Sequence, residues 1–456
     1  MRKQIDNIYR TSVSPNFGLP ITVRIQHPHQ EAKKKPARGS FFWFKLLIIL
    51  VIFFGSITTT FYHKAIASTI DLVKLYDDGK YLMLFQNNTE LRPTGGFIGS
   101  FATFEINHKK IKNFLVETNI YHQDNEFKSA NFVAQPKVLQ QWLGEGNSWS
   151  LHDSNWEADF ERASSDIEWF YETEYQDKIN GILAINASAL KNILEITGAV
   201  KLDDGTMIDS TNVLAEIQQE VEYDYFTNPQ NLAVDEPKTI IKELLPKIIE
   251  KIRQTSSVKL WSVALDLIER KNILFYFNDN RQSIVKARNW GGKISSDKIH
   301  NNYLHINNAN LGGGKSSLSV IQQTVYELDE HTVKLSITRT NLERSDKYPT
   351  QTNKNYLRVY LPKGAQLENF LINGKVEKIN ETNLEYEKNV FGFWFDADVG
   401  MSKVAQLVIK LPQNIDTQEL ILQKQSGAEN EIYIIKNKGK SIFEGMLGKD
   451  ELILME

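Results

Sequence analysis

Cysteine is missing from all 456 residues, which removes thiol nucleophiles and disulfide staples from consideration. The nine histidines form no metal set. His27 and His29 lie in a basic leader, and His300 and His305 lie on or near a strand with no cysteine partner, so no metal site is assigned. No Gly-x-Ser-x-Gly elbow is present, although a separated Ser/His/Asp set remains open. Internal repeats, heptad arrays and long low-complexity tracts are also lacking.

A surplus of positive charge is the other absence, with 53 Lys+Arg against 56 Asp+Glu. The balance hides an asymmetry, because Met1 to Ser40 holds 8 basic and 2 acidic residues. Such a leader is drawn to anionic headgroups. Beyond residue 62 the chain is acidic, with 44 basic and 54 acidic residues, which excludes general nucleic-acid binding because phosphate contacts need excess cations.

One long apolar run is present. "FFWFKLLIILVIFFGSITTTFY", Phe41 to Tyr62, is about the 20 residues that carry a helix across a hydrocarbon core. Lys45 lies near enough to its start to snorkel, and Trp43 and Tyr62 suit the two interfaces. "EAKKKPARGS" precedes the run, so the positive-inside rule places the N-terminus in the cytoplasm and the bulk of the chain outside, anchored to the cell membrane by a single pass. Ala65 and Ala67 form a small-residue site that a cleavable signal peptide would use, but the leader is much longer than such peptides carry.

The expected organisation is a basic tail over 1–40, a transmembrane helix over 41–62, a juxtamembrane linker over 63–74, a layered α/β domain over 75–295 and an all-β, sandwich-like domain over 296–456. "KYLMLFQNN" and "GFIGSFATFEINHKKIKNFLVE" read as strands. Helical spacing is read over Ser129–Leu143 and Trp156–Tyr171, with Trp156, Phe160, Ala163, Ile167 and Phe170 on one stripe. "INGILAIN" is a strand, followed by helices around Ala187–Ile196, Asn212–Tyr223, Pro237–Gln254 and Val258–Arg270, then the strand "ILFYF". Strand and helix alternation points to α/β layers. From about Ser295 onward, short alternating segments between Asn, Gly, Pro and Asp turns are all-β in pattern.

"NNTELRPTGGFIGSF", Asn87 to Phe101, joins the first two strands. Gly95 and Gly96 permit close backbone approach and an anion-binding nest, and Arg92 adds a planar donor fork. The structural alternative has Glu90 pairing with Arg92 while the glycines merely allow a bulge. Asn88, Glu90, Arg92, Thr94, Gly95 and Gly96 are the candidate ligand residues here. Asp153 and Asn155 either border the same cleft, offering together with Asp159 oxygen ligands to a hard cation, or cap the helix that follows. "ANLGGGKSS" departs from the phosphate loop at Ala309 and runs on as a strand, so nucleotide binding is rejected, while Lys315 is kept as a candidate binding residue. Trp142, Trp149, Trp156, Trp169, Trp261 and Trp290 could stack on sugars, but aromatics at helical spacing are more often core.

"NNTELRPTGGFIGSF" resembles the signature of the membrane-anchored bacterial and archaeal domain-of-unknown-function family 4012, which carries an "ELRPTGGF" loop after a transmembrane helix. "LHDSNWEADF" (Leu151–Phe160) is similar to its Asp-x-Asn-Trp segment, "INNANLGGGKSS" (Ile306–Ser317) to its Asn-Leu-Gly-Gly-x-Lys-Ser loop, and "KNYLRVYLPKGAQL" to its closing β region. The likeness spans residues 75 to 365 and implies no established activity. A more distant likeness is to the LytR–CpsA–Psr group, which transfers glycopolymers from polyprenyl-pyrophosphate lipids onto cell wall. Arg92 matches the arginine of that group's Arg-Ser-Asp-Thr motif, but Pro93, Thr94 and Gly95 follow it, so the acidic residue that helps hold magnesium is absent.

The expected function is therefore binding of a cell-wall, polysaccharide or lipid-linked glycan component by a membrane-anchored ectodomain. A glycopolymer transferase that uses Mg2+ is one alternative, and a non-catalytic structural or assembly protein is another. No cofactor is required by the first reading. An intact anchor predicts that the full-length chain stays in the membrane fraction after carbonate extraction; a recovered chain beginning near Ser68 would overturn it.

Overall fold

The computed structural model describes residues 59–144, 146–220, 239–295, 301–343 and 351–456. The chain divides into two compact units, Met1–Ile66 and Ala67–Glu456. The basic leader and residues 41–58 of the expected membrane helix lie outside the described residues. Helix α1 (Thr59–Leu75) takes in the last four residues of that apolar run. Among the described residues no helix is long and apolar enough to cross a membrane.

Strand β1 (Gly79–Arg92) turns through Pro93 and Thr94 into β2 (Gly95–Asn107) and on to β3 (Lys110–Glu117). Helices α2 (Ile120–Ala130), α3 (Lys137–Leu143) and α4 (Phe160–Tyr175) lead to β4 (Gly181–Asn186), which lies parallel to β1. Then come α5 (Ala189–Thr197), the short pair β5 (Val200–Lys201) and β6 (Met207–Ile208), α6 (Val213–Gln219), α7 (Thr239–Gln254) and α8 (Ser257–Glu269). The edge strand β7 (Ile273–Phe277) and α9 (Gln282–Arg288) follow. The five-stranded sheet has the order β3-β2-β1-β4-β7.

Alternation along β1 decides the layers. Leu82 and Leu84 point to one face and pack with Phe160, Ala163, Ile167 and Phe170 of α4. Tyr81 points to the other face, where Leu75 of α1, Ile268 of α8 and Val285 of α9 cover it. Helices thus shield both faces of the sheet.

Two expectations for the helices need correction. The stripe read from Trp156 starts only at Phe160, because Asp159 is the residue that caps α4, accepting from Arg162 N at 3.2 Å. Neither Asp153 nor Asn155 caps it; Asp153 closes a short 3-10 turn over Leu151–Asp153. Trp156 packs instead near Tyr356, ring centroids 6.3 Å apart. The helix expected over Ser129–Leu143 is broken between Ala130 and Lys137. Pro136 disfavours helical backbone at Gln135 and itself takes an extended conformation.

After Asn301 the described structure is all-β. The strands form two sheets, one of seven and one of six, and β8 (Asn301–Asn310) lies in the second. Leu335, Ile337 and Leu407 from the first and Leu357, Val359 and Phe393 from the second share one core, so the sheets pack face to face. The architecture is therefore mixed α and β with an all-β C-terminal region.

The β1–β2 hairpin is irregular where the glycines fall. Asn87 pairs with Phe97 and Leu91 with Gly96, which leaves Asn88, Thr89 and Glu90 as excess residues bulging from β1. Gly96 lies beneath this bulge, where a Cβ would overlap the backbone of Asn87 and Asn88. Backbone cannot swing aside as a side chain does. Gly96→Ala is accordingly expected to lower the unfolding free energy by about 3 kcal/mol, read as a reduced denaturant midpoint.

Candidate functional site

The bulge turns Glu90 and Arg92 inward, where they join a run of alternating charges. Arg92 Nη2 donates to Glu90 Oε1 at 3.0 Å and to Asp153 Oδ1 at 3.4 Å, and Nη1 donates to the carbonyl of Asn310. Lys315 pairs with the other oxygen of Glu90. At the far end His152 Nε2 lies 3.1 Å from Asp153 Oδ2, and its Nδ1 meets Asp124. The order Lys315, Glu90, Arg92, Asp153, His152, Asp124 alternates plus and minus throughout. Arg92 and Lys315 also lie over the Phe97 ring, 5.1 and 5.4 Å from its centroid.

Burial acts against the charged forms of Glu90, Arg92, Asp153 and His152, and the opposite neighbours outweigh it. Burial would raise the Glu90 carboxyl, but Lys315 and Arg92 hold it below its ordinary value. Asp153 is likewise held far below the usual carboxylate range, against burial, by His152 and Arg92. Burial opposes the charged form of His152, yet Asp153 and Asp124 raise it to about 10. Glu174 is pushed the other way, raised by burial and by the neighbouring Asp124; its Oε1 accepts from Leu151 N at 3.1 Å.

The remaining sequence candidates lock the same region through neutral groups. Asn155 Nδ2 donates to Thr94 Oγ1 at 3.1 Å and to the Gly96 carbonyl at 2.8 Å. Asn88 donates to Ser188 and, at 2.9 Å, to the carbonyl of Gly427. Gly95 has φ +142°, and a Cβ there would press on Asn186 Oδ1 and Gln86 Oε1. All nine candidates, Asn88, Glu90, Arg92, Thr94, Gly95, Gly96, Asp153, Asn155 and Lys315, thus converge on one buried seam between the hairpin, the Leu151–Asp153 turn and the strand-loop from β8 to Lys315.

This placement corrects the role expected of Arg92. Its fork is spent on two carboxylates and a carbonyl, and the residue is only 5% exposed, so it is a bracket inside the protein and not an open anion contact. Among the described residues no cluster of three His, Asp or Glu side chains is arranged to hold a metal ion, and Asp153 faces Arg92 and His152 instead. The sequence reading missed Asp124, His152 and Gln425. Gln425 Nε2 donates to the carbonyls of Arg92 at 3.1 Å and Asn308 at 2.8 Å. The density of Asn in "INNANLGGGKSS" was the available signal, since Asn307 and Asn310 serve this seam: Asn307 Nδ2 donates to the Pro93 carbonyl at 3.0 Å.

Beside the ladder lies a cavity of about 530 Å3. Ile185, Leu190, Leu214, Ile217, Ile241 and Leu244 give it apolar walls, while Glu90, Lys315, Phe97 and Tyr121 belong to its charged and aromatic side. The volume lies within the roughly 300–1,000 Å3 of small-ligand sites.

Residues 77–222 match the family described as "Protein of unknown function (DUF4012)". The resemblance read from the hairpin motif and from Leu151–Phe160 is thereby found over that segment, while the stretches quoted after residue 300 lie beyond it. No curated protein matches the chain. Among solved structures, a transcriptional regulator from Enterococcus faecalis shares 14% identity over 49% of this chain and 74% of its own, with a TM-score of 0.27. A protein from Streptococcus agalactiae shares 11% over 48% and 76% (TM-score 0.28), and a transcriptional regulator from Bacillus subtilis 13% over 47% and 96% (TM-score 0.23). With TM-scores this low, these likenesses carry no argument about what the chain does.

The ladder has a pH signature. His152 keeps its proton in the folded state up to about 10, against an ordinary value of 6.5, so its contribution is complete below pH 6.5 and is lost as pH rises toward 10. Ionisation of Glu174, raised in the folded state, acts in the same direction. Glu90 and Asp153, both lowered, lose their contribution on the acid side instead, as pH falls below their ordinary values of 4.5 and 3.8. Denaturant melts between pH 6 and 10 should show stability falling with pH, and His152→Gln should remove on the order of 2 kcal/mol of that fall. An unchanged slope in the variant would contradict the ladder.

Proposed function

We propose that this chain is a single-pass envelope protein whose large C-terminal part, outside the cytoplasm, binds a lipid-linked glycan component, with the lipid portion entering the apolar cavity beside Lys315. The cavity carries the reading. Its aliphatic walls favour a hydrocarbon chain, because each buried CH2 contributes about 0.8 kcal/mol, and Lys315 puts a cation where an anionic linkage to a polar head would lie. The basic leader and the apolar run Phe41–Tyr62 support the membrane attachment that would bring such a ligand within reach. Arg92 acts through Glu90, fixing the carboxylate against which Lys315 is set.

Titration of the full-length chain with geranylgeranyl diphosphate tests this. Binding is expected, and Ala187→Phe, which fills part of the cavity, should weaken it at least tenfold without moving the thermal midpoint. The absence of binding by the native chain, or undiminished affinity in the filled variant, would overturn the reading.

A further inference from the structure

A second hollow, of about 730 Å3, opens between the C-terminal end of α2 and the loop that leads into the Leu151–Asp153 turn. Its chemistry is the opposite of the apolar cavity's. Seven of its 14 lining residues carry amide or hydroxyl side chains, compared with six of 21 around the cavity, so this surface favours a ligand rich in hydroxyl groups.

Three observations point to the ligand. Gln135 is 7% exposed and its Oε1 has no hydrogen-bond partner; a buried acceptor left in this way costs about 1–3 kcal/mol unless a donor reaches it. Phe132 stands 69% exposed on the same hollow, so its ring face is open to a ligand. Trp149 also lines it, its indole N–H fixed on the Asp153 carbonyl at 3.0 Å. Aromatic rings beside amides and hydroxyls suit a pyranose, whose C–H face packs on a ring while its hydroxyls donate and accept around the edge.

We infer that this groove is a carbohydrate-binding site for a pyranose oligosaccharide, with Phe132 as the stacking platform and the buried Gln135 amide turning outward so that its Oε1 accepts from a sugar hydroxyl or acetamido N–H. Lys128 adds a cationic donor to the same surface, while both ring nitrogens of His152 stay with Asp124 and Asp153. The groove shares no lining residue with the apolar cavity. The two lie back to back across aromatic contacts: the His152 ring, which faces the groove, sits 5.7 Å from Phe97 and 5.6 Å from Tyr121, both of which line the cavity. A site here would hold a glycan independently of any lipid.

Isothermal titration of the full-length chain with tetra-N-acetylchitotetraose and with cellotetraose tests the assignment. At least one should bind. Phe132→Ala, a change at an exposed position, should weaken that binding at least fivefold with the thermal midpoint unchanged, and Gln135→Leu should weaken it further. Neither variant should alter affinity for geranylgeranyl diphosphate, and the oligosaccharide result stands whether or not the diphosphate binds. No binding of either tetrasaccharide, or affinity indifferent to both substitutions, would overturn the proposal.

Discussion

The contact on which this structure turns is the guanidinium of Arg92 held between Glu90 and Asp153. Three charges removed from water would be unfavourable singly, since desolvation of each ion amounts to several kcal/mol. Alternation offsets that penalty: every member of the ladder has an opposite charge beside it, from Lys315 to Asp124. The arrangement also acts over a long reach of sequence. A bulge at residues 88–90, a turn at 151–153 and a loop near 315 are brought to fixed separations by groups that tolerate little displacement, because loss of any one takes an opposite charge away from a buried neighbour.

Neutral groups complete what the charges begin. Gln425 reaches both the hairpin tip and β8, Asn88 reaches Gly427, and Asn155 holds Thr94 and Gly96. The five-stranded sheet and the β sandwich therefore meet through amide hydrogen bonds as well as through packing, and that seam is where the motif residues are found. Amides are suited to the task, each offering two donors and a carbonyl acceptor in a plane. Packing alone would let the two layers slide; directional bonds give the join one register.

Local rules made much of this visible in the sequence. The strands around the hairpin, the α4 stripe from Phe160 to Phe170, the β-rich C-terminal region and the alternative of a Glu90–Arg92 pair all follow from short-range pattern or from neighbours two residues apart. What escaped depended on distance or on competition between local signals. Asp124 and His152 lie 28 residues apart in sequence, and Gln425 lies 333 residues from Arg92, separations that no spacing rule reads. Asp159 displaced Asp153 and Asn155 as the helix cap because all three are competent caps, and only the path of the turn through Leu151–Asp153 decides which one faces free amides. At Pro136 an apolar periodicity continued through a residue that breaks the backbone, and the backbone won.

The ladder also sets the electrostatic character of the cavity beside it. Glu90 has one oxygen on Arg92 and the other at Lys315, so the cation at the cavity wall is already countered, and the six ladder charges sum to zero. An anion arriving at Lys315 must compete with a carboxylate that Arg92 holds in place. The buried bracket therefore does more than join layers: under the ligand reading proposed above, keeping Glu90 ionised and fixed would make the wall of the cavity discriminate by charge as well as by hydrocarbon content.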